Sequence, residues 1–338
     1  MGETPPPKDL PMRRVLLAPL LLLGLLVVPA DAAPAGPYAP LDRPGPRLSV
    51  PAADLARSLS CSGEKGRPTV VLLPGTGLDP SEFRWNYSRS LPAAGYGVCA
   101  VTLPQEALGD IQVAAEHVVS AIREVHRRSG RRVSLLGHSQ GGMIGRWALR
   151  FWPDTRPLVD DVIGMAPSNH GTVDSQVLCQ AQCPPAFWQQ AAGSRFTEAL
   201  NSGAETFAGI SYTSIYTRTD EVVVPNLDDT GSSSLRTGRG AITNVALQEL
   251  CPTAVTEHLG IGTYDPVAYA LVVDALRHRG PASPARVPAG VCTQQLAPGV
   301  DPVTFPTDAA SSFVALGANI ARSPQVGAEP PLKRYVLR

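Results

Sequence analysis

The sequence predicts an α/β fold in which a doubly wound, mostly parallel sheet carries helices on both faces and an insertion over its carboxyl edge. Short, continuously apolar runs rich in β-branched residues alternate with longer runs whose apolar residues recur every three or four positions. Turn signals rich in Gly and Pro separate the two kinds of run. With 338 residues, 43% of them hydrophobic, the chain can bury the core of one large domain of this kind.

The predicted elements follow one another as strand and helix along the chain. The first core strand, residues 69–73, is unbroken and apolar and stops at Pro74-Gly75, as expected of a strand buried on both faces. Residues 111–125 are predicted to form a helix because their apolar positions share one helical face. Further strands are predicted at residues 97–103, 131–136, 159–166, 211–217 and 241–246. Further helices are predicted at residues 143–152 and 266–277, and residues 309–321 carry Phe313, Leu316 and Ile320 on one helical face.

Three segments flank or interrupt this alternation. Residues 33–50 are rich in Pro and Ala and lack periodicity, so we expect an extended lead-in before a single domain over residues 51–338. Residues 167–209 form the insertion, and insertions at this edge of a sheet shape pockets. From about residue 281 onward the chain is again rich in Pro and Ala and is predicted to be a C-terminal extension.

The first 32 residues have the pattern of an export signal. Two arginines precede an apolar run over residues 15–28, and residues 30–32, Ala-Asp-Ala, form a small-x-small site, so cleavage is expected after Ala32. Met12, directly before the arginines, is an alternative to Met1 as the start. A retained membrane anchor is disfavoured, because a span needs about 20 apolar residues and this run is shorter. The protein is therefore expected to be secreted and extracellular, with no stable membrane span.

Charge and cysteine content narrow the partners further. The 29 basic and 29 acidic residues give no net charge, so no strong field would draw nucleic acid or an anionic bilayer to the surface. Six cysteines in an exported chain indicate disulfides. Cys179 and Cys183 are close enough in sequence to clip one turn. The alternative, a metal site that includes His170, lacks a recognisable fourth ligand, and no metal is predicted.

Residues 137–141, Gly-His-Ser-Gln-Gly, lie between a predicted strand and a predicted helix. Ser139 would stand at a sharp turn where strand and helix nearly touch, and Gly137 and Gly141 lack the side chains that would prevent this approach. Such a nucleophile elbow lifts the serine hydroxyl above the sheet edge. A chance Gly-x-Ser-x-Gly pattern is the alternative, so the motif gains meaning only with an acid and a base elsewhere.

An acid and a histidine do follow in the order that this kind of elbow requires. Asp220 comes just after the predicted strand at 211–217, and His258 follows the last predicted strand. We therefore expect Asp220 to orient His258 and His258 to act as the base. The alternatives for the acid are Asp228, Asp229, Glu221 and Asp265.

The other histidines fit the role of base less well. His117, His126 and His278 fall within or at the ends of predicted helices among charged neighbours and are expected on the solvated surface. His138 flanks the serine but points elsewhere on the turn, and His170 precedes the acid in the chain.

The tetrahedral intermediate of such chemistry needs hydrogen-bond donors aimed at its oxygen. Gln140 supplies the N–H group directly after the serine. Residues 74–77, Pro-Gly-Thr-Gly, follow the early strand, and their glycines let the backbone turn so that the Thr76 N–H faces the serine. The Thr76 hydroxyl can also donate, while an ordinary Gly-rich turn is the alternative interpretation.

Six short segments of the chain occur together in an order and spacing that are characteristic of a known family. They are residues 73–77 (Leu-Pro-Gly-Thr-Gly), 139–142 (Ser-Gln-Gly-Gly), 166–167 (Ala-Pro) with 171–172 (Gly-Thr), 188–190 (Trp-Gln-Gln), 219–221 (Thr-Asp-Glu) and 257–258 (Glu-His). In this combination the chain resembles the Candida antarctica lipase B-like family of secreted α/β-hydrolase lipases, from about Pro51 through the C-terminal helix. The resemblance implies an α/β-hydrolase fold and serine lipase or esterase activity.

The resemblance also implies a role for each matching residue. It makes Ser139 the nucleophile, Asp220 the orienting acid and His258 the base. It makes Thr76 and Gln140 the oxyanion donors and places Gln190 on the acyl side of the pocket. It further implies the disulfides Cys61–Cys99 and Cys251–Cys292, whereas Cys179–Cys183 has no counterpart and rests on spacing. His138 stands where the fungal enzyme has a tryptophan and Ser168 where it has an aspartate, so both are expected, with Trp188, to shape the pocket wall.

The function expected from the sequence is that of a secreted, monomeric serine ester hydrolase, a triacylglycerol lipase that needs no cofactor and takes lipid or other esters as substrates. A carboxylesterase or polyester hydrolase would use the same chemistry on small or polymeric esters. A non-catalytic exported binding protein on the same scaffold is a third alternative, but it predicts a broken set of catalytic residues, and here every role has a candidate.

Overall fold

The computed structural model describes residues 1–3 and 37–338. The predicted cleavage site after Ala32, the alternative start at Met12 and nearly all of the predicted export signal lie outside these residues. In the part of the chain that is described, no helix combines the length and the apolar character needed to cross a bilayer.

Within residues 37–338, seven strands form one sheet in the order β1-β3-β2-β4-β5-β6-β7. The strands are β1 (Leu59–Ser62), β2 (Thr69–Leu73), β3 (Gly97–Val101), β4 (Val133–His138), β5 (Val159–Met165), β6 (Ser211–Tyr216) and β7 (Ala241–Ala246). The edge strand β1 pairs antiparallel with β3, and the other neighbouring strands pair in parallel. This sheet confirms the predicted fold class.

Helices cover the sheet and fill the insertion. They are α1 (Ala52–Arg57), α2 (Tyr87–Ala93), α3 (Ile111–Ser129), α4 (Gln140–Phe151), α5 (Val173–Leu178), α6 (Pro185–Gln189), α7 (Arg195–Asn201), α8 (Leu247–Leu250), α9 (His258–Thr263), α10 (Pro266–Arg277) and α11 (Phe305–Arg322). Alternate residues of β2 feed two separate cores, because successive side chains of a strand point to opposite faces. Val71 and Leu73 pack with α3 and α4, while Val70 and Leu72 pack with α2 and α10.

The structure differs from the sequence prediction mainly at element ends and at one edge. Helix α4 begins at Gln140, directly after Ser139, whereas the predicted helix began at residue 143. The prediction started late because the first turn contains two glycines, which carry no apolar signal. Strand β1 was not predicted, since it is a short edge strand with alternating burial and no continuous apolar run. Helix α11 is longer than the predicted face over residues 309–321.

Three cysteine pairs lie at disulfide distance. Cys61 and Cys99 join opposite residues of β1 and β3, and Cys251 and Cys292 join the end of α8 to the C-terminal segment. Cys179 and Cys183 close the short turn that follows α5. The first two pairs connect the edge strand and the C-terminal extension to neighbouring elements, whereas the third is local to the insertion.

The parallel register brings the candidate functional segments to one edge of the sheet. The carboxyl ends of β2, β4 and β6 are followed by Gly75-Thr76, Ser139 and Asp220 respectively. His258 begins α9, which follows β7 and α8. Because parallel strands place their carboxyl ends together, four distant segments converge above the centre of the sheet.

Candidate active site

Ser139 occupies the sharp turn between β4 and α4. Its backbone has φ of 55° and ψ of −122°, a left-handed conformation that is strained for a residue with a side chain. A Cβ atom on Gly137 would collide with the backbone of Gly141, and one on Gly141 would collide with the carbonyl of Leu73. The close backbone contact therefore requires glycine at both positions. The same contact holds Ser139 outside the φ and ψ values that residues with a side chain usually adopt.

His258 is held from two sides. Its Nδ1 lies 3.0 Å from both carboxylate oxygens of Asp220, and its backbone N–H donates to Glu221 Oε2 at 3.0 Å. A further bond from the Thr219 hydroxyl to the Thr256 carbonyl, 2.9 Å, ties the two loops together. The imidazole is thereby fixed with Nδ1 toward the acid and Nε2 away from it.

Asp220 is buried, yet it remains suited to ionisation. Burial raises the pKa of Asp220, but the charge and hydrogen bond of His258, together with two backbone hydrogen bonds, lower it more. The N–H groups of Val222 and Val223 also donate to Oδ1, at 3.0 and 2.8 Å. The net effect is a pKa below the ordinary value for an aspartate, so the group carries its charge at neutral pH.

The Nε2 atom of His258 is the open position of this arrangement. It is buried, and no side chain or backbone group of the described residues forms a hydrogen bond with it, the Ser139 hydroxyl included. Ser139 and His258 nevertheless line the same cavity. Hydrogen bonds between a nucleophile and its base are often long before substrate binds, so the unpartnered Nε2 leaves His258 able to serve as a base for Ser139.

Thr76 lines the same cavity and is held by two glutamines. Gln140 Nε2 donates to its hydroxyl oxygen at 3.0 Å and Gln190 Nε2 donates to the same oxygen at 2.8 Å. A hydroxyl oxygen has two acceptor positions and one proton. With both acceptor positions filled, the Thr76 proton is left to point toward another acceptor.

Two backbone N–H groups near Ser139 also have no hydrogen-bond acceptor among the described residues. In the described part of the chain, neither the Thr76 N–H nor the Gln140 N–H forms a hydrogen bond, although the neighbouring Gly75 and Gly77 N–H groups do. Gln140 is the first residue of α4, where backbone N–H groups have no partner inside the helix. The Thr76 hydroxyl and the two N–H groups are therefore donors without an acceptor among the described residues, next to Ser139 in sequence or at the cavity wall.

A cavity of about 280 Å³ connects these groups. Ser139, Thr76 and His258 line its polar part. Its remaining wall is mostly apolar and is formed by Leu78, Leu178, Phe187, Val222, Val223, Leu259, Leu316 and Ile320. The last two come from α11, whose apolar face was visible in the sequence although its role as a cavity wall was not.

The four residues expected in the pocket wall are placed differently from one another. Gln190 lines the cavity, whereas Ser168 lies behind it and donates its hydroxyl to Gln190 Oε1 at 2.8 Å. Trp188 donates to the Val326 carbonyl at 2.9 Å, and its neighbour Phe187 faces the cavity instead, because successive side chains of the helix α6 point in directions about 100° apart. His138 lines the cavity but turns both ring nitrogens toward buried partners.

The alternative acids and bases are engaged elsewhere. Asp229 accepts from Tyr216, Asp228 from Thr230, and Asp265 caps α10, while Glu221 holds only the backbone of His258. His170 pairs with Glu205, and His126 and His278 contact nearby carbonyls. His117 corrects the expectation of a surface residue: it is buried on α3, on the side that α1 covers, and burial lowers its pKa.

Comparison with known proteins agrees with this architecture. The Alpha/beta hydrolase family model matches residues 70–295. "Lipase B" of Pseudozyma antarctica is 32% identical over 301 residues, which cover 86% of this chain and 86% of that protein. The crystal structure of Aspergillus fumigatus lipase B superposes with a TM-score of 0.79 at 31% identity, covering 89% of this chain and 76% of that one. The chain therefore belongs to the α/β hydrolase family and is a homologue of lipase B.

Proposed function

We propose that the protein is an exported serine ester hydrolase that cleaves lipid carboxylic esters through an acyl-enzyme formed on Ser139. Ester cleavage is the activity that the lipase B relatives indicate. The single observation that carries the assignment of residues is the fixed Asp220–His258 pair: its Nε2 has no hydrogen-bond partner among the described residues, and His258 lines the cavity that Ser139 also lines.

The reaction would proceed in two halves. Ser139 Oγ attacks the ester carbonyl carbon as its proton passes to His258 Nε2, and the carbonyl oxygen becomes an anion. His258 then gives this proton to the departing alcohol, and the acyl group stays on Ser139. Water repeats the sequence and releases the acid. Asp220 keeps its charge throughout and stabilises the imidazolium that forms on His258.

The oxyanion would be stabilised by the donors that the described residues leave free. The Thr76 N–H, the Thr76 hydroxyl and the Gln140 N–H have no internal acceptor, and such donors are most effective when they are oriented before the reaction. Gln190 supports the hydroxyl by filling one acceptor position, and Ser168 supports Gln190 in turn. The predicted pocket role of Ser168 thus becomes an indirect one.

The apolar cavity wall favours lipid esters as substrates, because it would bury an acyl chain and exclude water from the reacting groups. Export is proposed from the N-terminal pattern together with three cysteine pairs at disulfide distance, which suit an oxidising compartment. Triolein emulsion should therefore be a substrate of the purified mature protein. Turnover of p-nitrophenyl butyrate without any turnover of triolein would instead indicate a carboxylesterase with the same residues.

The decisive experiment is the Ser139→Ala variant. We expect kcat on p-nitrophenyl butyrate to fall by roughly 10⁴–10⁶-fold and labelling by a fluorophosphonate probe to disappear. Ser134→Ala, on the same strand but hydrogen-bonded to Asp161 at 2.9 Å, serves as the control and should keep activity and labelling. Full activity in Ser139→Ala would refute the proposed function.

A further inference from the structure

His138 and Glu82 form a buried pair beside the candidate nucleophile that the reaction above does not use. His138 is 1% exposed and Glu82 is 2% exposed. Glu82 belongs to a short 3-10 helix, Pro80–Phe83, in the loop that follows β2, and His138 is the last residue of β4. Nδ1 of His138 contacts Glu82 Oε1 directly. Burial of a titratable pair costs folding free energy unless both charges are fully hydrogen-bonded, so a buried pair at this position points to a specific role.

Both ring nitrogens of His138 face oxygen acceptors. Nε2 lies 2.9 Å from the backbone carbonyl of His258, which can only accept, so Nε2 carries a proton. Nδ1 faces a carboxylate, which favours a second proton on the ring. Burial lowers the pKa of His138, but the charge and hydrogen bond of Glu82, together with the His258 carbonyl and the charge of Asp220, outweigh burial and raise it. The arrangement is that of an imidazolium with two fixed acceptors.

The second carboxylate oxygen of Glu82 reaches the turn that carries Thr76. Oε2 accepts from the Gly75 N–H at 2.9 Å. Through one side-chain pair, the loop after β2, the end of β4 and the first residue of α9 are therefore joined. These are the segments that carry Thr76, Ser139 and His258.

The surroundings of the His138 ring are shaped to hold it in one place. A Cβ atom on Gly75 would lie 3.0 Å from Nδ1, and a Cβ atom on Gly262 in α9 would collide with the ring. The His258 ring lies beside it with 4.8 Å between centroids. The titratable groups that face His138 are thus Glu82 and His258, with Asp220 behind His258.

We propose that His138 and Glu82 act as a positioning pair, which holds the Gly75–Thr76 turn and the His258 backbone in catalytic register. The inference rests on the proposed function. It assigns to His138 the role of positioning the candidate catalytic residues, in addition to lining the pocket. Small displacements of such groups have large effects on rate, because donors and base must be aligned before the reaction.

The test compares three variants with p-nitrophenyl butyrate as substrate. Glu82→Leu and His138→Phe break the pair, and each should lower kcat by about 10–100-fold while KM changes by less than about threefold. Glu82→Gln can still accept from Gly75 and donate to Nδ1 of a neutral His138, so kcat at pH 7 should stay within about threefold of wild type. His170→Phe breaks the separate His170–Glu205 pair, whose nitrogen and oxygen lie 2.6 Å apart, and controls for a general loss of stability.

The pH profile distinguishes positioning from packing. In the wild type, loss of the His138 proton at high pH leaves Glu82 facing an unprotonated nitrogen, so kcat/KM should decline on the alkaline side. Glu82→Gln has no such titration and should lack this decline. A profile that stays flat to about pH 10 in the wild type, or an alkaline decline that Glu82→Gln shares, would overturn the proposal even if His138→Phe failed to fold.

The two proposals fail separately. If Ser139→Ala is inactive while folded His138→Phe and Glu82→Leu keep wild-type kcat, the positioning role is wrong and the proposed function stands. If Ser139→Ala keeps its activity, the proposed function itself is wrong.

Discussion

At the scale of single residues, Thr76 shows how a side chain becomes a donor through its neighbours. Gln140 and Gln190 fill both acceptor positions of its hydroxyl oxygen, and Gln140 is further held by the Ala107 carbonyl at 2.8 Å. The glutamines therefore leave the proton of the Thr76 hydroxyl pointing away from them before any substrate binds. Orientation before the reaction is what gives an oxyanion donor its effect.

Replacement of Thr76 tests this donor. Thr76→Val removes the hydroxyl at nearly the same volume, and we expect kcat to fall by about 10²–10³-fold because one oxyanion donor is lost. Thr76→Ser retains the hydroxyl and should recover most of the rate. Equal kcat values for the Val and Ser variants on p-nitrophenyl butyrate would show that the hydroxyl does not donate to the transition state.

At the scale of elements, the turn between β4 and α4 depends on backbone contact between glycines. Gly137 touches the backbone of Gly141, and Gly141 touches that of Leu73 on β2. The strain at Ser139 is thus imposed by the approach of one helix to two strands. Strain of this kind persists only where the surrounding structure enforces it.

Gly141→Ala should therefore disrupt the site. The added Cβ would meet main-chain atoms that cannot move aside, so we expect loss of esterase activity and a fall in the free energy of unfolding of about 3 kcal/mol or more. Gly317→Ala, within α11, meets nothing within 4 Å and should be neutral or stabilising by about 0.5–1 kcal/mol. Chemical denaturation and turnover of both variants provide the comparison; an active, fully stable Gly141→Ala would contradict the packing described.

Helix α11 supplies a wall of the cavity from far along the chain. Leu316 and Ile320 face the cavity, while Val314 on the outer side is 72% exposed. Leu316 also packs over Gly77, beside the Thr76 turn. The C-terminal extension is therefore part of the pocket and not only a cover of the sheet.

Shortening this wall should change substrate preference. Leu316→Ala widens the cavity, so we expect the ratio of kcat/KM for bulky over small esters to rise by about 3–10-fold. Val314→Ala is the matched control on the outer face and should leave the ratio unchanged. An unaltered ratio in Leu316→Ala across a series of p-nitrophenyl esters would exclude this helix from substrate selection.

At the scale of the whole molecule, stability depends on how the sheet edges and the buried charges are held. The disulfide-distance pairs tie the edge strand and the C-terminal segment to the body, and closing loops of 38 and 41 residues restricts the unfolded chain most. At the opposite end of β5 from the cavity, Asp161 is buried near Asp160 and Arg132. Burial raises the pKa of Asp161 to about 7.

Asp161 should make the protein less stable as pH rises. Its folded pKa lies above the unfolded value of 3.8, so between about pH 4 and pH 7 the folded state binds more protons and the free energy of unfolding falls with rising pH. Asp161→Asn should be more stable than wild type by about 1–3 kcal/mol at pH 8 and nearly equal to it at pH 4. Asp154→Asn, whose side chain is 52% exposed and pairs with Arg123, is the control in urea unfolding. A gain that is the same at both pH values would contradict the assignment.

Much of the architecture could be predicted because its signals are local. The alternation of apolar strands and amphipathic helices predicted all six parallel strands, β2 to β7, and their order along the chain, and the confirmed fold follows from it. The edge strand β1 and the start of α4 were not predicted, because a half-exposed strand and a glycine-rich turn carry little periodicity. The sequence analysis expected Trp188 in the pocket wall, but its neighbour Phe187 lines the cavity. Sequence spacing does not show which side of a short helix faces inward.

By itself the sequence determined the fold class, the strand-turn-helix context of Ser139, and the chain order of the candidate acid and base, because the first two are set by patterns of neighbouring residues and the third by position along the chain. Only the tertiary structure decided what Glu82, Leu316 and Ile320 contact, which hydroxyl the glutamines bind, and how deeply His138 is buried. The physical reason is that a contact between side chains distant in sequence depends on the parallel register of the sheet, which brings separate strand ends to one edge and which no local pattern specifies.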